Sequence, residues 1–390
     1  MRTSLRMNKI APSATLAMSA KAFELRSQGR EVLNLSAGEP DFPTPDHVKE
    51  AAKQALDDNF TRYTPVPGIP ELRQAVADYF KRFYGVEAPK EAAIVSNGGK
   101  QVLYNLLMAL LDPADEVLVP GPYWVSYPDM IRLAGGDPVV VPASVENGFL
   151  VTVDQLEAAR TPKTRAIILN SPSNPTGCHY TREQAADIMR WALARNVIVI
   201  SDEIYDQIVY EPAAKWSMAE WFPEHPEHVA VASGLAKSFA MTGWRVGYCL
   251  AHPDLVKAMS KLQSQSTSNI CSIAQKAAVA ALTGSFDYVE TMRQAFKRRR
   301  DLCLEIIGTW DRAVCPKPDG AFYLFPKLDG YFTADAPDSA ALCQKLLEKD
   351  GVVTVPGVAF GDDSCLRISY ATDDATLEKA LTRMGETLKG

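Results

Sequence analysis

Short, mostly apolar runs alternate with amphipathic helical patterns over much of the chain. Each run ends at glycine, proline or polar residues and is too short for a helix, so we interpret it as a buried strand. The runs are Ala93–Ser96, Val117–Val119, Ala166–Leu169, Val197–Ile200 and Val229–Ala232. Helical patterns begin near Pro70, Lys100 and Thr181. This alternation predicts an α/β fold with a mostly parallel central sheet and helices on both faces.

The pattern changes near residue 250, where helical periodicity becomes dominant. The helical patterns are 253–264, 272–283, 286–308 and 339–349, and the later strand patterns are 320–325, 352–355 and 365–370. The N-terminal residues combine a polar arm, a helical pattern from Leu16 to Gln28 and a strand at 32–35. We therefore predict a large domain over 45–285 and a smaller α+β domain made of 1–44 with 286–390. The long helix at 286–308 is expected to link them.

Charge and cysteine content narrow the range of partners and locations. The chain of 390 residues has a net charge of −6, which argues against a nucleic-acid partner. Its one sizeable basic run, Lys297–Arg300, is interpreted as a solvated helix face or a subunit contact. Seven scattered cysteines show neither disulfide nor zinc spacing, and neither a signal-peptide pattern nor a membrane-length apolar run is present. We expect a cytoplasmic protein without a metal or a membrane partner.

Lys237 is the first candidate for chemistry. It follows the apolar run Val229–Ala232, and a lysine held at a buried strand end is pushed toward its neutral, nucleophilic form. A neutral amine can form a Schiff base with an aldehyde. Gly234 and Ala236 leave space beside the lysine, and Arg245 offers a fork suited to phosphate. The alternative is a solvated loop lysine near a surface arginine.

At three further positions, a charged or polar group lies on a buried strand or at the start of a helix. Asp202 ends an apolar strand and needs a cationic partner, for which a protonated pyridine nitrogen would serve. Gly98 and Gly99 precede a helix whose first N–H groups can bind phosphate. Arg367 lies mid-strand and needs an anion, either an α-carboxylate or an internal salt bridge.

Several segments together resemble one family. They are the stretch from Gly234 to Gly247, the Gly-Gly-Lys-Gln segment at 98–101, the Pro-Tyr-Trp-Val-Ser-Tyr segment at 122–127, the Asn-Pro-Thr-Gly segment at 174–177 and the Leu-Arg-Ile-Ser segment at 366–369. The chain resembles the class I aminotransferases, which are pyridoxal 5′-phosphate (PLP) enzymes of fold type I. Within them it is similar to the bacterial aspartate aminotransferases that carry the Gly-Gly-Lys-Gln and Pro-Tyr-Trp-Val-Ser-Tyr segments.

The resemblance implies a role for each matching residue. For the cofactor, it implies covalent attachment to Lys237 and a partner for the pyridine nitrogen in Asp202. It also implies contacts to the phenolic oxygen from Tyr205 and Asn174, and stacking of the ring on Trp124. The phosphate contacts that it implies come from Gly99, Lys100, Arg245 and the partner subunit's copy of Tyr63. For the substrate, it implies α-carboxylate contacts from Gly38, Asn174 and Arg367, with Trp124 beside them, and distal-carboxylate contacts from the Lys100 side chain and the Thr15 hydroxyl. The alternative for the Lys100 side chain is a solvent-facing lysine.

The implied reaction is transamination in a homodimer with shared active sites. Lys100 and Thr15 favour aspartate or glutamate as donor, with 2-oxoglutarate or oxaloacetate as acceptor, in a ping-pong sequence. Two positions depart from the family. Ala11 stands where prephenate-using relatives carry a basic residue, and Gly234 stands where many relatives carry a phosphate-binding serine.

Other functions on the same fold stay open at this point. They are an aromatic, alanine or prephenate aminotransferase and a PLP-dependent carbon–sulfur lyase. A non-catalytic sensor would need an added DNA-binding module, for which the sequence offers no residues.

Overall fold

The computed structural model describes residues 1–4, 7–8, 10 and 14–389, without the side chains of residues 14–17 and 19. Its helices are α1 (Ala14–Ser27), α2 (Asp46–Asp57), α3 (Pro70–Tyr84), α4 (Gly99–Leu110), α5 (Tyr127–Leu133), α6 (Val153–Ala159), α7 (Arg182–Arg195), α8 (Pro253–Ser266), α9 (Ser272–Thr283), α10 (Asp287–Ile307), α11 (Ser339–Asp350) and α12 (Asp374–Lys389). Its strands are β1 (Leu33–Asn34), β2 (Ala93–Asn97), β3 (Glu116–Gly121), β4 (Asp137–Pro142), β5 (Thr164–Asn170), β6 (Ile198–Asp202), β7 (Val229–Gly234), β8 (Val246–Leu250), β9 (Tyr323–Leu324), β10 (Val352–Val353), β11 (Val355–Pro356) and β12 (Leu366–Ser369).

Seven of these strands form the central sheet, in the order β2-β8-β7-β6-β5-β3-β4. All neighbouring pairs are parallel except those of β8, which runs antiparallel to β2 and β7. Alternate residues face opposite sides: Ile167 and Leu169 pack in the cluster that contains α3, α7 and α9, whereas Ala166 and Ile168 pack with α4, α5 and α8. The predicted α/β fold with a mostly parallel sheet and helices on both faces is confirmed.

The ends of the chain come together beside this sheet. Strand β1 pairs in parallel with β10, and β12 lies between β11 and β9 in a small antiparallel sheet. A second hydrophobic core joins Leu35, Phe296, Leu366 and Leu381. Because residues from both ends share this core, we propose that 1–44 and 286–390 form the smaller domain. The exact boundaries at 45 and 285 stay a prediction.

Some local predictions differ from the structure. The strand predicted at 320–325 is paired as a strand only at Tyr323–Leu324, and the run at 352–355 divides into β10 and β11, which belong to different sheets. The helix predicted to begin near Thr181 is confirmed as α7, and it starts with a capping box formed by Thr181 and Gln184. The elements without a prediction are β4, β8, α5, α6 and α12.

The interpretation of the basic run as a solvated helix face is wrong for two of its four residues. Arg299 and Arg300 of α10 are buried. Arg299 makes two hydrogen bonds to the carboxylate of Asp41, at 2.7 and 2.8 Å, and Arg300 donates to the carbonyl of Pro318 at 2.9 Å. These partners are distant in sequence, so the local charge pattern could not reveal the burial.

Two features of the described residues bear on partners. No helix in the described ranges is both long and apolar enough to cross a bilayer. Among the same residues, no three His, Cys, Asp or Glu side chains are grouped so that they could hold a metal ion.

Candidate active site

One cavity of about 270 Å³ lies at the carboxyl ends of β5, β6 and β7. It brings together ten of the residues singled out from the sequence, namely Gly38, Gly99, Lys100, Trp124, Asn174, Asp202, Tyr205, Lys237, Arg245 and Arg367. Tyr63 is 92% exposed and does not line the cavity, and the side chain of Thr15 falls outside the described residues, as does Ala11.

Lys237 projects into the cavity just beyond the end of β7. Its ammonium contacts the carbonyl oxygen of Gly38 and lies 6.0 Å from the ring centroid of Tyr205 and 5.9 Å from that of Phe322. Burial lowers the pKa of this amine from 10.5 to about 8, because a charged group is poorly solvated there. The amine is therefore neutral in a far larger fraction of molecules than an exposed lysine would be.

Asp202 ends β6 and lines the same cavity. One carboxylate oxygen accepts a hydrogen bond from the hydroxyl of Tyr127 at 2.6 Å, and the other accepts from the backbone of Ile204 at 3.3 Å. Burial raises the pKa of Asp202 to about 6, although both hydrogen bonds oppose this rise. A cationic group placed beside it would lower that pKa again and would itself be held in its charged form.

Arg367 also lines the cavity and is 1% exposed. Its guanidinium donates to the side-chain oxygen of Asn174 at 3.0 Å and to the carbonyl of Ser36 at 2.7 Å, while its Nε has no partner among the described residues. No carboxylate within residues 14–389 forms an ion pair with it. Arg367 therefore does not form the internal salt bridge that was the alternative, and its guanidinium can still bind an anionic ligand.

The first turn of α4 closes the other end of the cavity. Gly98 has a φ of +84°, and a Cβ at this position would lie 2.5 Å from the guanidinium of Arg245. That guanidinium is fixed by bonds to the carbonyls of Thr242, at 2.9 Å, and Asn97, at 3.3 Å. Free N–H groups of a helix start next to an arginine form a seat for a doubly charged phosphate.

Comparison with known proteins agrees with this geometry. The family model "Aminotransferase class I and II" matches residues 30–384. The chain belongs to this family of aminotransferases. It is 46% identical to the aspartate/prephenate aminotransferase of Cereibacter sphaeroides, over 96% of each chain, and 44% identical to the aspartate aminotransferase of Streptomyces avermitilis, over 99% of this chain and 96% of that one.

Solved structures give the same result in three dimensions. The aspartate aminotransferase from Thermus thermophilus with maleate superposes with a TM-score of 0.94 at 45% identity, over 99% of this chain and 100% of that one. The aspartate aminotransferase from Rhizobium meliloti superposes with a TM-score of 0.95 at 39% identity, over 100% and 99%. The predicted family, its fold and its aminotransferase activity are thus confirmed.

The enzymes of this family use PLP, so the predicted cofactor is confirmed, and the cavity of the aminotransferase fits it. The cofactor carries a phosphate, a pyridine nitrogen and an aldehyde. The seat at Gly98 and Arg245 suits the phosphate, buried Asp202 suits the protonated nitrogen, and the amine of Lys237 suits the aldehyde.

The structure explains one departure of the aminotransferase from its relatives. A Cβ at Gly234 would lie 2.8 Å from the carbonyl oxygen of Val246 and 3.0 Å from the Cα of Gly247. These atoms belong to β8, which pairs with β7 at this point. A serine at 234 would therefore require the two strands to separate, so the phosphate seat of this chain is built without it.

Sequence reasoning missed four polar residues that line the cavity, namely Ser126 and three residues whose side-chain hydrogen bonds describe their surroundings. Asn170 donates to the carbonyl of Asp202 at 2.9 Å and accepts from the backbone of Asn174, also at 2.9 Å. The hydroxyls of Tyr323 and Tyr205 are 2.9 Å apart. Tyr127, the third, stood in an aromatic segment that was already noted, but its hydroxyl gave no local signal of the partner at Asp202.

We predict that Tyr127→Phe lowers the single-turnover rate more at acid pH than at alkaline pH. Removing the hydroxyl takes away a hydrogen bond that favours the charged carboxylate, so the pKa of Asp202 should rise while the ring packing is kept. We expect about a tenfold lower rate at pH 6 and a smaller loss at pH 8. The measurement is the pH dependence of the single-turnover rate, and an equal loss at both pH values would contradict the assignment.

Proposed function

We propose that this aminotransferase moves the amino group of an acidic amino acid, aspartate or glutamate, to a 2-oxo acid such as 2-oxoglutarate or oxaloacetate. The observation that carries the proposal is the charge of the cavity. Lys100, Lys237, Arg245 and Arg367 line it against a single carboxylate, Asp202. Lys237 and Arg245 suit the cofactor, which leaves two cations, at Arg367 and Lys100, for the two carboxylates of an acidic substrate.

The position of the Lys100 side chain supports a contact with the distal carboxylate of the substrate. Although the residue is exposed, its ammonium lies 4.9 Å from the ring centroid of Trp124, at the cavity. It forms no ion pair within the described part of the chain. The named activities of the relatives, aspartate and aspartate/prephenate aminotransferase, support the same substrate class.

Each residue then has a defined task. Arg367, Asn174 and the backbone of Gly38 hold the α-carboxylate, which orients the substrate Cα toward Lys237. PLP, when bound, withdraws electrons from that carbon. The amine of Lys237 would take the Cα proton as general base and, as general acid, would deliver it to the carbon that carried the cofactor's aldehyde. Asp202 would hold the protonated pyridine nitrogen, and the hydroxyl of Tyr205, 2.9 Å from that of Tyr323, would bind the phenolic oxygen.

The test is a single-turnover comparison of amino donors. Purified PLP enzyme is mixed separately with aspartate, glutamate, alanine, tyrosine and cysteine, and the cofactor spectrum is followed. We expect aspartate and glutamate to react fastest, and Lys100→Ala to slow these two by about tenfold, the effect of one partly solvated charge pair, while alanine is unaffected. Lys257→Ala, which removes an exposed lysine of α8, is the matched control.

Other outcomes would replace the assignment. Faster reaction with tyrosine or alanine would make the enzyme an aromatic or alanine aminotransferase. Reaction with cysteine alone, with release of pyruvate, would make it a carbon–sulfur lyase. Prephenate offered to the aminated enzyme tests the second activity in the relatives' names, against which Ala11 argues.

We further propose a cytoplasmic homodimer with shared active sites. Tyr63 is an aromatic residue with 92% of its surface exposed, on a segment adjacent to the phosphate seat, where a partner subunit would cover it. All seven cysteines are free, which suits a reducing compartment. A monomer in sedimentation analysis would contradict the dimer.

A further inference from the structure

The segment that carries Tyr63 has no regular secondary structure, yet two buried side chains hold it. Residues 61–69 connect α2 to α3, and the segment contains two prolines. Gln263 of α8 and Gln275 of α9 reach it from the large helical layer, and both are 0% exposed. A buried amide is tolerated only when its donors and acceptors are satisfied, so the contacts of these glutamines define what they do.

Gln275 forms hydrogen bonds with two residues of the segment that carries Tyr63. Its side-chain oxygen accepts a hydrogen bond from the backbone of Ile69 at 2.8 Å. Its side-chain nitrogen donates to the hydroxyl of Thr64, also at 2.8 Å, and to the carbonyl of Ile270 at 3.1 Å. Thr64 is the immediate neighbour of Tyr63, so Gln275 restrains the chain next to that residue.

Gln263 ties the same segment to the phosphate seat. Its nitrogen donates to the carbonyl of Val66 at 2.9 Å and to that of Val95 at 3.0 Å. Its oxygen accepts from Ser96 at 2.6 Å and from Asn105 at 3.0 Å. Val95 and Ser96 belong to β2, which leads directly into Gly98, and Asn105 belongs to α4. The amide of Gln263 thus contacts the Tyr63 segment, β2 and α4, and both of its polar atoms form hydrogen bonds.

We propose that Gln263 and Gln275 are positioning residues, which hold the Tyr63 segment in register with the phosphate seat so that the tyrosine is pre-organised to reach the partner's cofactor. The inference rests on the proposed function, namely PLP bound in sites shared by two subunits. Pre-organisation matters because an unheld segment would have to be ordered when the ligand binds, which weakens affinity. The helices α8 and α9 would then support the cofactor without touching it.

The test measures PLP affinity in a double-mutant cycle. Gln275→Leu is expected to raise the dissociation constant of PLP about tenfold in the dimer and to change the phosphorus NMR shift of the bound cofactor. Tyr63→Phe should weaken PLP to a similar degree. In the Tyr63→Phe background, Gln275→Leu should add less than about twofold, because the two act through one contact. Gln54→Leu, on the exposed face of α2, is the matched control.

The outcomes separate the inference from the function it rests on. If Tyr63→Phe leaves PLP affinity unchanged, the shared site of the proposed function fails. If Tyr63→Phe weakens PLP but Gln275→Leu has no effect, or has its full effect in both backgrounds, only the positioning role is overturned. Thr64→Val, which removes one partner of Gln275 and keeps the shape, carries the same test should Gln275→Leu fail to fold.

Discussion

Replacing Lys237 with alanine is expected to abolish transamination, with at least about a 10⁴-fold loss in the single-turnover rate with aspartate. The amine is the one basic nitrogen in the cavity that combines a lowered pKa with a position at the end of β7, beside the carbonyl of Gly38. The variant loses both the covalent hold on the cofactor and the group that moves the proton. After borohydride reduction and denaturation, the wild-type chain should retain one cofactor by mass and Lys237→Ala should retain none.

The control and the pH dependence make this prediction specific. Lys257→Ala, at an exposed lysine of α8, should keep both the rate and the label. Because burial lowers the pKa of Lys237 to about 8, PLP capture by the apoprotein should speed up with pH and level off above about 8. A lysine of ordinary pKa would show a continued rise toward pH 10. That rise, or a labelled Lys237→Ala chain, would show that another amine holds the cofactor.

The parts of the fold that were predictable are those whose signal is local. Strands β5, β6 and β7 each contain a central run that is buried on both faces and apolar, so the runs 166–169, 198–200 and 229–232 stand out. Strand β8 was missed because Val246–Leu250 contains glycine and tyrosine and follows a functional segment. Its place in the sheet is decided by pairing with β2 and β7, which no local pattern shows.

The residues of the site also divide into those with a local signal in the sequence and those without one. Asp202 and Lys237 were predictable because a charged side chain at the end of an apolar strand needs a reason to be there. Tyr323 was not, since its hydroxyl matters only through Tyr205, 118 residues away in sequence. Gln263 and Gln275 were missed for the same reason: on α8 and α9 they resemble ordinary helix residues until the fold brings residues 64–69 against them.

Asp202→Asn is expected to give the second largest loss, about 10²- to 10⁴-fold in the single-turnover rate with aspartate. Removing one member of a buried charge pair costs about 3–5 kcal/mol, and each 1.4 kcal/mol is tenfold in rate. Asparagine keeps the shape and an oxygen for the hydroxyl of Tyr127, so the loss reports the charge. The variant should also lower the pKa of Lys237 further, because the negative charge of Asp202 favours the ammonium form.

Asp206→Asn is the matched control, because it changes a second buried carboxylate on the same segment. Asp206 accepts hydrogen bonds from the hydroxyls of Tyr79 and Tyr84 but does not line the cavity. If the loss in Asp202→Asn came only from disturbing a buried tyrosine–carboxylate pair, Asp206→Asn would match it in rate. We expect Asp206→Asn to lower the melting temperature while keeping the rate within about threefold, since its carboxylate does not line the cavity. Equal rate losses in the two variants would assign Asp202 a structural role and remove it from the chemistry.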